Sequence, residues 1–180
     1  DIVNYSVLAA IYALTNNVSK AIECYEKILE IDPVNANAFY MIGVIYHMNT
    51  EEGQGNLTKA IEYYEKAIEL SSYYQLDMDV EIYLYLGDAY YKQGNYTKAI
   101  QLYEKAIELD PDDAVVYNNL GNAYDADGDH AKAIESYEKA IELDPDYAKA
   151  YYNLGFAYNY QGDYAKAIES YEKVIEVDPD

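Results

Sequence analysis

The 180-residue chain has no arginine and no tryptophan, one cysteine, two histidines and four prolines. No apolar run approaches the roughly 18 residues of a membrane-spanning helix. The lone Cys24 excludes an intrachain disulfide and a cysteine-based zinc site. Lying within a helical segment, it reads as a small buried apolar residue. The missing arginines remove the side chain best suited to bidentate carboxylate binding. Twelve Lys against 33 Asp plus Glu give a net charge of −21. Nucleic acid and anionic membranes need clustered basic residues, so neither is an expected partner. The acidity steers basic or neutral partners inward, and it also keeps a sticky surface soluble. The chain begins at Asp1 and shows no signal-peptide pattern, so it reads as a piece of something longer, with a cytoplasmic setting favoured.

What the chain has in abundance is periodicity. Residues 79–112, 113–146 and 147–180 are 34-residue segments that align without gaps, ending KAIELDPD, KAIELDPD and KVIEVDPD. Residues 1–34 share the frame, and residues 35–78 join it with two insertions of about five residues. Five units therefore fill residues 1–180 as one array. Each unit divides into two amphipathic helices. In the third, Ile82, Tyr83, Leu86, Ala89 and Tyr90 recur at helical spacing. Gln93-Gly94-Asn95 breaks the helix, and Asn95 caps a second whose stripe is Ala99, Ile100, Tyr103, Ala106, Ile107 and Leu109. Asp110-Pro111 stops that helix, because proline disfavours helical backbone in the residue before it. Neither helix buries its stripe alone, whereas stacked hairpins bury both.

The columns explain the composition. Tyr5, Phe39, Tyr83, Tyr117 and Tyr151 form one aromatic column, Tyr12, Tyr46, Tyr90, Tyr124 and Tyr158 a second, and Tyr25, Tyr64, Tyr103, Tyr137 and Tyr171 a third. These hold 14 of the 25 tyrosines, so most of the aromatic excess is packing. Two small-residue columns, Ala9/Gly43/Gly87/Gly121/Gly155 and Ala21/Ala60/Ala99/Ala133/Ala167, allow close helix approach. This spaced set resembles the tetratricopeptide repeat (TPR) family over the whole chain, with Tyr where the family usually has Trp. Ala9, Ile28, Ser72 and Val174 are departures that leave the pattern intact. The resemblance implies an all-α, right-handed solenoid of five antiparallel helix pairs, with first helices lining a concave groove.

By that resemblance the groove is read from outward positions of the first helices: Tyr40, Val44, His47 and Met48, then Leu84, Asp88 and Tyr91. Asn118, Asn122 and Asp125 follow, and the last unit offers Lys149, Tyr152, Phe156, Asn159 and Tyr160. Rigid exposed rings suit peptide recognition, and the two asparagines can bond a peptide backbone. With Asp88 and Asp125 in place, the expected ligand is an extended, apolar-to-basic peptide. Some family members clamp acidic C-termini with Lys and Asn. Here only Asn122 and Lys149 match that clamp; Leu84 and Asp88 stand where Lys and Asn belong, Asn153 replaces a basic residue, and Asp88 repels a carboxylate.

Other constellations yield to simpler readings. Asp125-Ala126-Asp127-Gly128-Asp129 imitates the start of a calcium loop, but its glycine comes one place early and Ser136 stands where the bidentate Glu belongs. It reads as an acidic turn whose Asp129 caps the next helix. His130 takes a column otherwise held by Tyr96 and Tyr164, a packing position. Asn17, Asn56 and Asn95 match a glycosylation pattern, but one shared column explains them as caps. Glu23–Lys27, Glu62–Lys66, Glu135–Lys139 and Glu169–Lys173 are spaced as helix-stabilising pairs. No Ser-His-Asp set, phosphate-cradling loop or paired-carboxylate cleft is apparent, so no enzyme, metal or cofactor is expected. The insertions near residues 49–53 and within 71–78 lengthen the turn and the link around the second unit, exposing Tyr73 and Tyr74.

Repeat arrays normally carry polar caps. Here the apolar side around Ile168, Tyr171 and Ile175 lacks one, so more repeats or end-to-end self-association is expected. Two functions follow: a scaffold that binds a partner's peptide in its groove, or a self-stacking spacer whose ends make the contacts.

Overall fold

The structure, a computed structural model, describes residues 1–49, 54–74 and 80–179. They form ten helices and, among the described residues, no strand: α1 (Ile2–Leu14), α2 (Val18–Ile31), α3 (Ala36–Met48), α4 (Gln54–Tyr74), α5 (Glu81–Lys92), α6 (Tyr96–Leu109), α7 (Ala114–Asp127), α8 (His130–Leu143), α9 (Ala148–Gln161) and α10 (Tyr164–Val177). The chain divides into two compact units, Asp1–Ala89 and Tyr90–Asp180. In the first, Ala9, Ala21, Cys24, Tyr25, Ile28, Ala38, Ile42 and Ile45 form one core cluster. In the second, Ala133, Ile134, Tyr137, Leu154, Ala157, Tyr158 and Ala167 form another. Cys24 is thus a core side chain, and burial pushes its thiol pKa up.

Short signals set the boundaries. Asp32, Asp110, Asp144 and Asp178 all precede proline, and each ends its helix with φ between −132° and −138°. The following ring clashes with helical backbone, so the chain turns extended there. Asp110 and Asp144 then accept bonds from the amides of Asp112 and Asp146, at 3.2 and 3.1 Å. The second repeat, residues 35–78, carries Ser72 in place of that proline, and α4 accordingly runs on to Tyr74. Part of the expected link is therefore helix, with Tyr73 exposed and packed edge-on against Tyr74 at 4.9 Å. The rest of that insertion, and residues 50–53 of the other, lie outside the described residues. Gly128 and Gly162 close α7 and α9 in the left-handed region, at φ 92° and 82°.

Inside three of the hairpins the small column meets a tyrosine ring. A Cβ on Gly43 would lie 2.7 Å from the Tyr64 ring, on Gly121 2.5 Å from Tyr137, and on Gly155 2.9 Å from Tyr171.

Several local expectations are corrected. Leu109 is exposed, because it lies at the end of α6 beyond the stripe. Asn95 caps α6 by accepting from the Lys98 amide, but Asn17 makes no such bond. Asn56 lies inside α4 and donates instead to the Asn49 carbonyl at 2.9 Å. The lysines expected to pair back with Glu23, Glu62, Glu135 and Glu169 reach forward. They form Lys27–Glu30, Lys66–Glu69, Lys139–Glu142 and Lys173–Glu176 at 2.6–2.8 Å. Reaching forward takes the ammonium toward the negative end of the helix dipole. Being exposed, such pairs add little.

Candidate functional site

In the first unit, the residues expected to line the groove fall into two sets. His47 is buried, not presented to a ligand: its Nδ1 lies 3.4 Å from the Tyr64 hydroxyl and its ring meets Tyr85 edge-on at 6.2 Å. Tyr40 is half-buried, stacked on Tyr85 at 6.4 Å and donating to Glu81 at 3.3 Å. Burial first, then the neighbouring Tyr40, Tyr85 and Asp88, pushes the Tyr64 phenol far above its usual range. Val44, Leu84 and Asp88 are half-buried, and Met48 stands out in solvent. Rings at adjacent helical positions pack on each other, which is why sequence position alone overstates their availability.

The second unit contains a polar network. Asn118, expected to bond a ligand, is 0% exposed. Its Oδ1 accepts from Asn153 Nδ2 at 2.9 Å, and Asn153 also donates to Asn122 Oδ1 at 3.0 Å. The Tyr137 hydroxyl donates to that same Asn122 oxygen at 2.9 Å. Two donors on one amide oxygen fix the flip of Asn122 and leave its Nδ2 without a partner among the described residues. Asn122 therefore presents a pre-oriented N–H donor, whereas Asn118 is structural. The residue missed from sequence is Asn153, which holds both.

Beside this donor lies an acid. Asp125 Oδ1 takes His130 Nδ1 at 2.7 Å, and the His130 ring packs 4.5 Å from that of Tyr160. His130 is thus hydrogen-bonded to Asp125 as well as being a packing side chain. Burial, and then the neighbouring Asp125 and Tyr91, raises the Tyr137 phenol beyond its usual range. Tyr91 is half-buried against Tyr96 at 5.5 Å, and its phenol is raised by burial, Tyr96 and Asp125. Lys149 and Asn159 are exposed. Asp129 caps α8 through the Lys132 amide and Gly128 closes α7, so the acidic run is a turn between helices. The Asp129 carboxyl pKa is lowered, first by its side-chain bond to Lys132. Among the described residues no cluster of three or more His, Cys, Asp or Glu is arranged to hold a metal, and no helix is long and apolar enough to cross a membrane.

Tyr152, Phe156 and Tyr160 are exposed along α9, at intervals of four. In the unit before, this column is Asn118, Asn122 and Ala126, and α9 itself covers Asn118 through Asn153. Tyr152 instead packs against Tyr171 of α10 at 5.8 Å. Tyr152 therefore borders the face of α10, with Phe156 exposed one turn along α9. Ile168 and Ile175 are exposed on that face, and Tyr171 is half-buried there.

Comparison with known families matches the TPR repeat to residues 9–49 and 87–128, and the tetratricopeptide repeat to residues 36–74 and 112–180. The chain belongs to the tetratricopeptide repeat family. No curated protein matches it in sequence. Among solved structures, this TPR chain is similar to a MamA structure at 31% identity and TM-score 0.83, covering 95% of this chain and 94% of that one. It is also similar to YrrB, described as a TPR protein with an unusual peptide-binding site, at 26% identity and TM-score 0.82, covering 100% and 88%. MamA from Desulfovibrio magneticus RS-1 shares the fold alone, at 23% identity and TM-score 0.87 over 99% and 95%. The all-α TPR solenoid is thus the fold class of this chain.

Proposed function

We propose that this TPR chain is a protein-interaction scaffold that holds an extended peptide on the α7/α9 face of its second unit. The observation carrying this reading is the Asn122 amide, whose oxygen is held by Tyr137 and Asn153 while its nitrogen is left to donate. A peptide in extended form offers unpaired backbone carbonyls, which such a donor recognises irrespective of sequence. Asp125 supplies negative charge beside it, and its Oδ2 makes no hydrogen bond among the described residues. Basic side chains on the peptide are met there, and the net charge of −21 steers them in. Phe156 and Tyr160 add exposed ring area for apolar side chains. The similarity to YrrB supports the same class of function. Nothing in this arrangement supplies a nucleophile with a base, and a binding role needs none.

The test is selection of a random peptide library on the 180-residue chain, followed by titration of the winners. Asn122→Asp keeps an acceptor for Tyr137 and Asn153 but turns the outward donor into an acceptor. Loss of one hydrogen bond, with a carbonyl left facing a carboxylate, should weaken neutral peptides about tenfold, on the order of 1.5 kcal/mol. Asp125→Asn should weaken basic peptides selectively and flatten their salt dependence. Binders that ignore both changes would refute this site.

A further inference from the structure

The junctions between successive helix pairs in the second unit repeat one contact. Tyr124 donates to Glu104 Oε1 at 2.8 Å, and Tyr158 donates to Glu138 Oε1 at 2.8 Å. In each case a first-helix tyrosine reaches the second helix of the preceding pair. In α1 and α10 the matching halves stand separately. Tyr12 holds the tyrosine position in α1, and Glu172 holds the glutamate position in α10. Neither makes this bond among the described residues.

The apolar part of the junction is divided in the same way. Leu154 is 7% exposed and packs with Ile134, which is 9% exposed, and with Tyr137. Their counterparts are Leu8, 39% exposed on α1, and Ile168, 58% exposed on α10. The first-helix contacts also vary in kind: Tyr85 stacks on Tyr40, whereas Asn153 bonds Asn118 and Asn122. At this position α1 carries Val7, and the column it would meet carries Tyr152 and Phe156, all exposed and apolar. These two junctions pair like with like, and the α1 and α9 faces match in the same way.

We infer that the α9/α10 face of one copy receives α1 of a second copy of this chain, extending the array head to tail. Tyr12 then donates to Glu172, Val7 packs on Tyr152 and Phe156, and Leu8 covers Ile168. Ile175 reaches the cleft of about 250 Å³ that Tyr5, Leu8 and Tyr12 line with Lys20, Glu23, Cys24 and Lys27. The contact joins two different faces, so it is heterologous and leaves a free copy of each face at the ends of every assembly. The net charge of −21 on each copy opposes the contact, so raising salt strengthens it. This inference does not depend on peptide binding: the two share Phe156, whereas Leu8 and Ile168 belong to the contact between copies alone.

The experiment is sedimentation velocity on the 180-residue chain from micromolar to millimolar concentration, at low and high salt. Leu8→Glu blocks the α1 face and Ile168→Glu blocks the α10 face. Both positions are exposed, and far-UV circular dichroism confirms that each variant is folded. The wild-type average mass should rise with concentration and with salt, while each variant alone stays monomeric. An equimolar mixture of the two variants retains one intact face of each kind and should form a one-to-one dimer that grows no further. A wild-type chain that stays monomeric throughout, or a Leu8→Glu variant that associates as the wild type does, would overturn the inference.

Discussion

Replacing glycine by alanine at three equivalent positions asks whether the small-residue column is needed for helix approach or is incidental. A Cβ at residue 121 would sit 2.5 and 2.6 Å from two Tyr137 ring atoms, far inside van der Waals contact. Tyr137 is 2% exposed, and its hydroxyl is tied to Asn122, so the ring has nowhere to swing. Overpacking of this kind costs about 1–3 kcal/mol. Alanine returns about 1 kcal/mol through helix propensity, and disturbing the Tyr137–Asn122 bond costs about 1 kcal/mol. Gly121→Ala should therefore destabilise by about 2 kcal/mol. Gly43→Ala, at 2.7 Å from a Tyr64 ring that is 0% exposed, should cost a similar amount. Gly155→Ala meets Tyr171 at 2.9 Å, but that ring lies half-buried on the end face and can tilt away. There the strain and the propensity gain should nearly cancel, leaving a change of about 0.5 kcal/mol or less. Urea unfolding followed by far-UV circular dichroism, fitted with terms for individual repeats, reads the difference. Equal destabilisation at residues 121 and 155, or none at 121, would refute the idea that ring mobility decides the cost.

Asn153→Ala should cost about 1–3 kcal/mol, because it strips the donor from the buried Asn118 oxygen; denaturant unfolding measures it, and Asn118→Leu in the same background should recover part of the loss. Asp113 accepts from the amides of Val115 and Val116 at 2.8 and 3.3 Å, so Asp113→Ala should lower stability by about 1 kcal/mol in the same assay. Burial, then a bond to Glu104 or Glu138, pushes the Tyr124 and Tyr158 phenols up to about 12. The unfolded phenol loses its proton near pH 10 and the folded one near pH 12. The unfolded state therefore binds fewer protons across that window. Stability from these two groups should be complete below about pH 10 and fall as pH rises toward about 12. Tyr158→Phe should reduce the slope, as read by urea unfolding across the alkaline range.

Much of the fold is legible because it rests on local chemistry. An Asp-Pro pair ends a helix whatever surrounds it, and the one unit that lacks the proline has the helix that overruns, α4. Gly128 and Gly162 mark turns that need positive φ. The candidate site is less legible because exposure depends on the neighbouring repeat. Within one hairpin, Asn118 and Asn122 occupy equally outward places, yet Asn153 covers the first and only orients the second. Tyr152 reads as a groove residue until the stacking shows that its column is the one a following helix covers. The Asp125–His130 pair joins two residues that periodicity assigns to different tasks, one to the groove and one to packing.

The glycine-to-tyrosine contacts also bear on how the chain folds. Gly43 meets Tyr64, Gly121 meets Tyr137 and Gly155 meets Tyr171, each within a single hairpin. These close helix approaches are local in sequence, which lowers the contact order, so folding should be fast for a chain of this length. Each hairpin can nucleate by itself and recruit its neighbour, and opening should begin at the outermost pairs. Amide exchange would register this as protection that falls from Tyr137 toward Tyr171, tracing within the second unit a gradient set by a neighbour on one side or two.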